Sequence, residues 1–348
     1  MVAHHLKNDL EDILQLTDPS VWSALKNKRL FITGGTGFFG IWLLETLVFA
    51  NKELQINLTI DVLTRDISKF RKKAPHLANA DKVNFIEGDV KSFAIPTDKK
   101  YDFVIHAATE ASENLNNNYP LEMMDTIVSG TKRVLEFSRI NAIKKLLFVS
   151  SGAVYGRQPP SLTHVDENCT NGPDILWPRN IYAESKRLAE LMCSTYSSLY
   201  RIEIPIARCF AFVGPYLNLN IHFAIGNFIR DGLEKKEIEI KGDGTPLRSY
   251  MYSADLVIWL LTILIRGESK KAYNVGSDEA ISIEELAKKI CCFFGNKMSY
   301  VVWQKPDPFK EREQYIPSIE KARKELNLAV NFDLDKSINR TINWNLNE

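Results

Sequence analysis

Three stretches of this chain carry residue types that can move a proton and a hydride together. Tyr182-Ala-Glu-Ser-Lys186 sets a phenol and an ammonium four residues apart, which on a helix is one face. An ammonium nearby favours the phenolate, so a Tyr with a free pKa of about 10 can exchange protons closer to neutrality. Phe148-Val-Ser-Ser-Gly-Ala-Val-Tyr-Gly156 reads as a strand end rich in hydroxyls. Ser151 is our choice for a hydroxyl that aligns a reacting oxygen with Tyr182, and Tyr155 reads as structural. Phe31-Ile-Thr-Gly-Gly-Thr-Gly-Phe-Phe-Gly40 reads as strand, glycine turn and helix start. Y-x-x-x-K alone is common by chance. In this company it describes alcohol–ketone interconversion on a nicotinamide cofactor.

The glycine segment contains Gly35-x-Gly37-x-x-Gly40, and Gly34 adds a second spacing, G-x-x-G-x-x-G. Such glycines allow a tight turn and let backbone approach a pyrophosphate at a helix N-terminus. Gly34, Gly37, Phe38, Phe39 and Gly40 are therefore expected at the cofactor. Cofactor choice turns on the end of the second strand, Ile60-Asp61-Val62-Leu63-Thr64-Arg65-Asp66. A strand ending near Asp61 would offer a carboxylate to ribose hydroxyls and favour NAD. One running to Leu63 would offer Thr64 and Arg65 and favour NADP. The alternation of Leu58, Ile60 and Val62 through Asp61 leans to NADP. Asp89, followed by Val90, is expected at the adenine, with a turn cap as the competing reading.

The elements that must position these groups alternate. Strands are expected at 28–33, 58–63, 83–86, 103–106, 145–150 and 204–208, with helices at 41–50, 123–139 and 181–199 between them. That alternation predicts an α/β Rossmann-type, doubly wound parallel sheet with right-handed crossovers. A helical N-terminal extension is expected over 1–27, the dinucleotide-binding domain over 28–215, and a smaller α/β substrate domain over 216–348, with later segments returning to the sheet. The chain has 348 residues, 45% hydrophobic and 25% charged, with a formal net charge of +1. Ordinary globular usage follows, and no bulk charge points to nucleic acid or a membrane surface. Leu256–Ile265 is too short for a membrane span and reads as a buried helix. Five cysteines without C-x-x-C fit a reducing, cytoplasmic location, and no metal site is expected.

With those residues in view, the chain resembles the extended short-chain dehydrogenase/reductases of the nucleotide-sugar epimerase/dehydratase type, from about residue 28 to 345. The landmarks are Gly34–Gly40, Asp89, His106-Ala107-Ala108, Ser150–Gly156, Tyr182/Lys186, Gly214-Pro215, Gly242-Asp-Gly-Thr-Pro-Leu-Arg248, Asp255 and Tyr273-Asn-Val-Gly-Ser277. The resemblance implies Ala107, Ala108 and Lys186 at the cofactor. It places Arg248 on a substrate phosphate, where a guanidinium also fits by geometry, and Asn227 by the diphosphate. It further implies a homodimer through the helices at 123–139 and 181–199. The dehydratases of this type carry Thr-Asp-Glu where this chain has Ser151-Gly152-Ala153. Arg208-Cys-Phe-Ala211 and Ile127 also depart from the usual Asn-bearing patterns, and Glu110 is a candidate replacement carboxylate. Epimerisation of a nucleotide sugar through a keto intermediate, at C4, is thus the expected reaction. A 4,6-dehydratase, a 4-ketoreductase or a non-catalytic dinucleotide sensor are the alternatives.

Overall fold

The computed structural model describes residues 6–109, 113–220, 223–295 and 298–347. Six strands, β1 (Arg29–Thr33), β2 (Thr59–Thr64), β3 (Val83–Glu87), β4 (Phe103–His106), β5 (Lys145–Ser151) and β6 (Ile206–Cys209), join Ala272–Val275 in one sheet. Across it the order is Ala272–Val275, β6, β5, β4, β1, β2, β3, and every pairing is parallel. A parallel sheet is covered on both faces, which is why β1 and β5 read as continuous apolar runs rather than alternating ones. The strand order reverses between β1 and β4, and a crevice at such a point is where this architecture binds its ligands.

Helices Phe38–Leu54 and Ser253–Arg266 cover one face, and Pro120–Ile140 and Ile181–Tyr200 the other. The expected helix over 123–139 begins three residues earlier because Pro120 suits a first turn, where its missing N–H is no loss. The last strand of the first half starts at Ile206 rather than Ile204, after Pro205, which has no N–H to give a ladder. Leu256–Ile265 lies inside Ser253–Arg266 and is almost wholly buried. Among the described residues no helix is long and apolar enough to cross a membrane.

Two helices, Lys7–Leu16 and Pro19–Leu25, precede β1. Asp18 starts the second by accepting from Ser20 N at 2.9 Å, with Pro19 in the first turn. Asp9 of the first is buried against Tyr252 and Arg340, so this extension is tied to the last helix, Leu334–Asn347. In the C-terminal part, Leu247–Arg248 pairs with Ile281–Ser282 on one side and with Gln314–Tyr315 on the other. That small sheet brings Arg248 and Tyr315 toward the carboxyl end of β5.

Candidate active site

The turn after β1 is forced by close approach. Gly34 has φ +74°, and a Cβ there would stand 2.5 Å from the Ala107 carbonyl oxygen; a Cβ on Gly40 would stand 2.3 Å from the Gly34 oxygen. The turn therefore folds flat against the end of β4 and delivers the first turn of Phe38–Leu54. Its N-cap, Gly37, is exposed and offers no side-chain cap, so the opening N–H groups need another acceptor. That cradle fits the pyrophosphate of a dinucleotide. Phe38 and Phe39 belong to it through their backbone, since the Phe39 ring packs edge-on against Phe212 at 5.0 Å. Thr33 Oγ1 accepts from Ala108 N at 3.2 Å and lies 2.7 Å from His106 Nδ1. His106 Nε2 is 3.1 Å from Thr131 Oγ1. Burial pulls His106 down to about 3, so the ring is neutral and braces Ala107-Ala108 beside the turn.

β2 runs to Thr64, and Asp61 sits in its middle, fully buried. Its carboxylate takes Arg29 Nε at 3.0 Å and Nη2 at 3.1 Å, Tyr101 Oη at 2.7 Å and Asn84 Nδ2 at 2.8 Å. Asp61 is spent on the sheet, and the strand end presents buried Thr64 and exposed Arg65. Asp66 caps the next helix through Lys69 N at 2.8 Å. Asp89 accepts from Lys91 N at 2.8 Å, the turn-cap geometry that competed with an adenine role. Val90 packs against Gly130.

The catalytic candidates come together at the carboxyl end of β5. Tyr182, in the first turn of Ile181–Tyr200, is half-buried and hydrogen-bonds with Ser151. Lys186 is buried, and its Nζ donates to the Val149 carbonyl at 2.8 Å and to Thr109 Oγ1 at 2.9 Å, over the Phe148 ring. The expected lowering of Tyr182 by Lys186 is not what this arrangement produces. Burial pushes the Tyr182 phenol up to about 12, with the Ser151 hydrogen bond working against it. Burial also pulls Lys186 down to about 8. The ammonium is engaged by the Val149 carbonyl and Thr109, so Ser151 is the group that favours the phenolate.

Ser150, one residue earlier, faces the other way. It donates to Glu190 at 2.6 Å, and Glu190 holds Arg208 through two bonds of 3.0 and 2.6 Å. Arg208 also donates to Tyr155 Oη at 2.9 Å, and Tyr155 donates to Asn274 Oδ1 at 2.7 Å. Tyr155 is thus structural, as its sequence context suggested.

Of the substrate candidates, Arg248 pairs with Tyr315 in the small sheet, donates to the Leu247 carbonyl at 2.8 Å and lies 3.6 Å from Glu313. Asn227 lies in helix Ala224–Leu233 and accepts from Arg230 Nη1 at 3.4 Å. Glu110 lies outside the described residues. Two groups at the site carry no motif in the sequence. Cys209 neighbours Ser151 across the β5–β6 ladder, and the Tyr315 phenol reaches Ser151 from the C-terminal part.

The model of the NAD dependent epimerase/dehydratase family matches residues 30–276. The chain is 28% identical over 325 residues to UDP-glucuronic acid decarboxylase 1 of Xenopus tropicalis, covering 92% of this chain and 73% of that one. It is 28% identical over 322 residues to a UDP-glucuronate 4-epimerase of Thermodesulfobacterium geofontis, covering 90% and 94%. Among solved structures, a UDP-N-acetylglucosamine 4-epimerase of Methanobrevibacter ruminantium superposes with a TM-score of 0.79 at 20% identity, covering 92% of this chain and 99% of that one. A dTDP-glucose 4,6-dehydratase of Streptomyces venezuelae superposes with a TM-score of 0.78 at 21% identity, covering 92% and 97%. The family match spans the glycine turn, the hydroxyl-rich strand end and the Tyr–Lys helix alike, and the chain belongs to the NAD-dependent epimerase/dehydratase family.

Proposed function

We propose that this enzyme epimerises a nucleotide-activated sugar, oxidising a ring hydroxyl, C4 by preference, and reducing the keto intermediate from its other face. NAD(P), when bound, accepts and returns the hydride. The residues of the chain do the remainder. Tyr182 as phenolate takes the hydroxyl proton and later gives it back, Ser151 aligns the sugar oxygen, and Lys186 holds the nicotinamide ribose with its charge. Arg248 and Asn227 hold the diphosphate. The observation that carries epimerisation is Ser151-Gly152-Ala153: no carboxylate directly follows the catalytic hydroxyl in the chain. Elimination of water needs an acid and a base beyond Tyr182, and epimerisation does not.

A second reading has its own support in the decarboxylase relatives. A uronate oxidised at C4 is a β-keto acid, and it loses carbon dioxide without a further carboxylate. Incubation with UDP-glucose, UDP-N-acetylglucosamine and UDP-glucuronic acid in deuterated water, followed by NMR, separates the outcomes. A C4 epimer without deuterium at C5 supports epimerisation. Loss of C6 with deuterium at C5 replaces it by decarboxylation, and loss of water replaces it by dehydration.

Two finer points belong to the same proposal. NADP is the favoured cofactor, because Asp61 is committed to Arg29 and Tyr101 and the strand ends on Thr64-Arg65. Arg65→Ala is expected to cut the NADP-over-NAD affinity ratio by roughly 10- to 100-fold, since a charge-assisted hydrogen bond contributes about 1.5–3 kcal/mol; an unchanged ratio removes Arg65 from that role. A homodimer is the expected assembly, supported by Leu121, Met124, Leu188, Leu191 and Leu199, exposed on the two long helices. Light scattering would show a single-chain mass if that is wrong.

A further inference from the structure

Lys186 carries its charge inside the protein without a carboxylate against it among the described residues. The residue is 2% exposed. Glu190, one turn on in the same helix, is held by Ser150 and Arg208. The ammonium has neutral partners instead. The Val149 carbonyl of β5 accepts from Nζ at 2.8 Å, Thr109 Oγ1 accepts at 2.9 Å, and Nζ stands 5.0 Å from the centre of the Phe148 ring. A buried cation depends on such acceptors, because each one removed leaves its lost hydration less compensated.

Thr109 is itself held from the opposite side. Its N–H donates to the Ala107 carbonyl at 2.9 Å, closing a three-residue turn just past β4. That carbonyl oxygen is the atom a Cβ at Gly34 would meet at 2.5 Å. The Thr109 hydroxyl therefore bridges the strand end packed on the glycine turn to the helix that carries Tyr182 and Lys186. A lysine ammonium has three N–H donors. Val149 and Thr109 take two of them, and the third is the one left for a ligand.

We infer that Thr109 is a positioning residue for Lys186: its hydroxyl fixes the second N–H of the ammonium, so that only the third is free for the nicotinamide ribose. This rests on the reading of Lys186 as the group that holds that ribose. Thr109 acts through Lys186 alone and exchanges no proton.

Calorimetric titration of NADP⁺ into the protein from pH 6 to 9.5, with no sugar present, tests this. The titratable groups around the ammonium are Tyr182, Glu190 and Cys193 on its own helix, Cys209 on β6 and His106 on β4, and all are retained in every variant. Affinity that depends on the ammonium falls as pH rises and Lys186 loses its proton. Thr109→Val keeps the branched shape and removes the oxygen, so the charged form loses an acceptor. The midpoint of the fall in affinity is expected to move down by about one pH unit, a tenfold loss of proton affinity, from the removal of one hydrogen bond to a charged group. Thr109→Ser restores the hydroxyl and is expected to restore the wild-type profile. In a Lys186→Met background, Thr109→Val is expected to change nothing. An unmoved profile in Thr109→Val overturns the inference. So does a Thr109→Ser profile that matches Thr109→Val, or an equal loss of affinity without Lys186. Failure of the ribose reading looks different: Lys186→Met would then bind NADP⁺ as the wild type does at every pH, and the inference would fall with it.

Discussion

Ser150 and Ser151 are adjacent, identical in type, and opposite in use. Ser150 ends in a closed network, in which Glu190, Arg208, Tyr155 and Asn274 satisfy one another in the interior. Ser151 ends among the phenols of Tyr182 and Tyr315, with no carboxylate beside them among the described residues. The pleat of β5 alone separates the two. Polar groups whose partners are all protein hold the fold. A hydroxyl that faces phenols at the mouth of the sheet is the one left for the proposed chemistry.

The comparison breaks most sharply at Tyr182. Tyr182→Phe should lower turnover by about 10²–10⁴-fold, the range for a lost proton-transfer group, while thermal unfolding barely moves; a matching loss of stability would deny that this side is the chemical one. Arg208→Leu should do the reverse. It leaves Glu190, partly buried, without its cation, and losing such a pair should cost up to about 3 kcal/mol, read by denaturant unfolding. A smaller contrast comes from the serines themselves. Ser150→Ala should cost about 1–3 kcal/mol of stability through the acceptor it abandons, and Ser151→Ala should mainly cost turnover.

The mildest effect lies in the pH dependence of Lys186. The fold holds its pKa near 8, below the ordinary value of 10.5, so the native state binds fewer protons than the unfolded state between those limits. Stability from this group therefore rises as pH goes from about 8 toward 10.5. Cofactor affinity that uses the ammonium should fall over the same interval. Paired measurements of unfolding and cofactor binding on the wild type and Lys186→Met check the opposed slopes, and parallel slopes would refute them.

How much of this was legible in the sequence follows from how local each signal is. The strand–glycine–helix turn, the Tyr182/Lys186 face and the hydroxyl-rich end of β5 are set by spacings within ten residues, and the structure places each where its pattern suggested. The fate of Asp61 was not legible, because it depends on Arg29, Tyr101 and Asn84 from three other segments. The Lys186 effect was misjudged for the same reason. Helical spacing put it on the face of Tyr182, but Val149 and Thr109 decide where its ammonium points.

By itself the sequence determined a parallel α/β sheet, a strand–glycine–helix turn and a tyrosine and lysine on one helix face, since each needs only short-range periodicity or glycine sterics. Tertiary structure alone decided which hydroxyls meet. Tyr315 reaches Ser151 across 164 positions of chain because a small sheet carries it there and Gly152 leaves the space. No spacing rule encodes such a contact, for it arises from packing between parts of the chain that are neighbours only after folding.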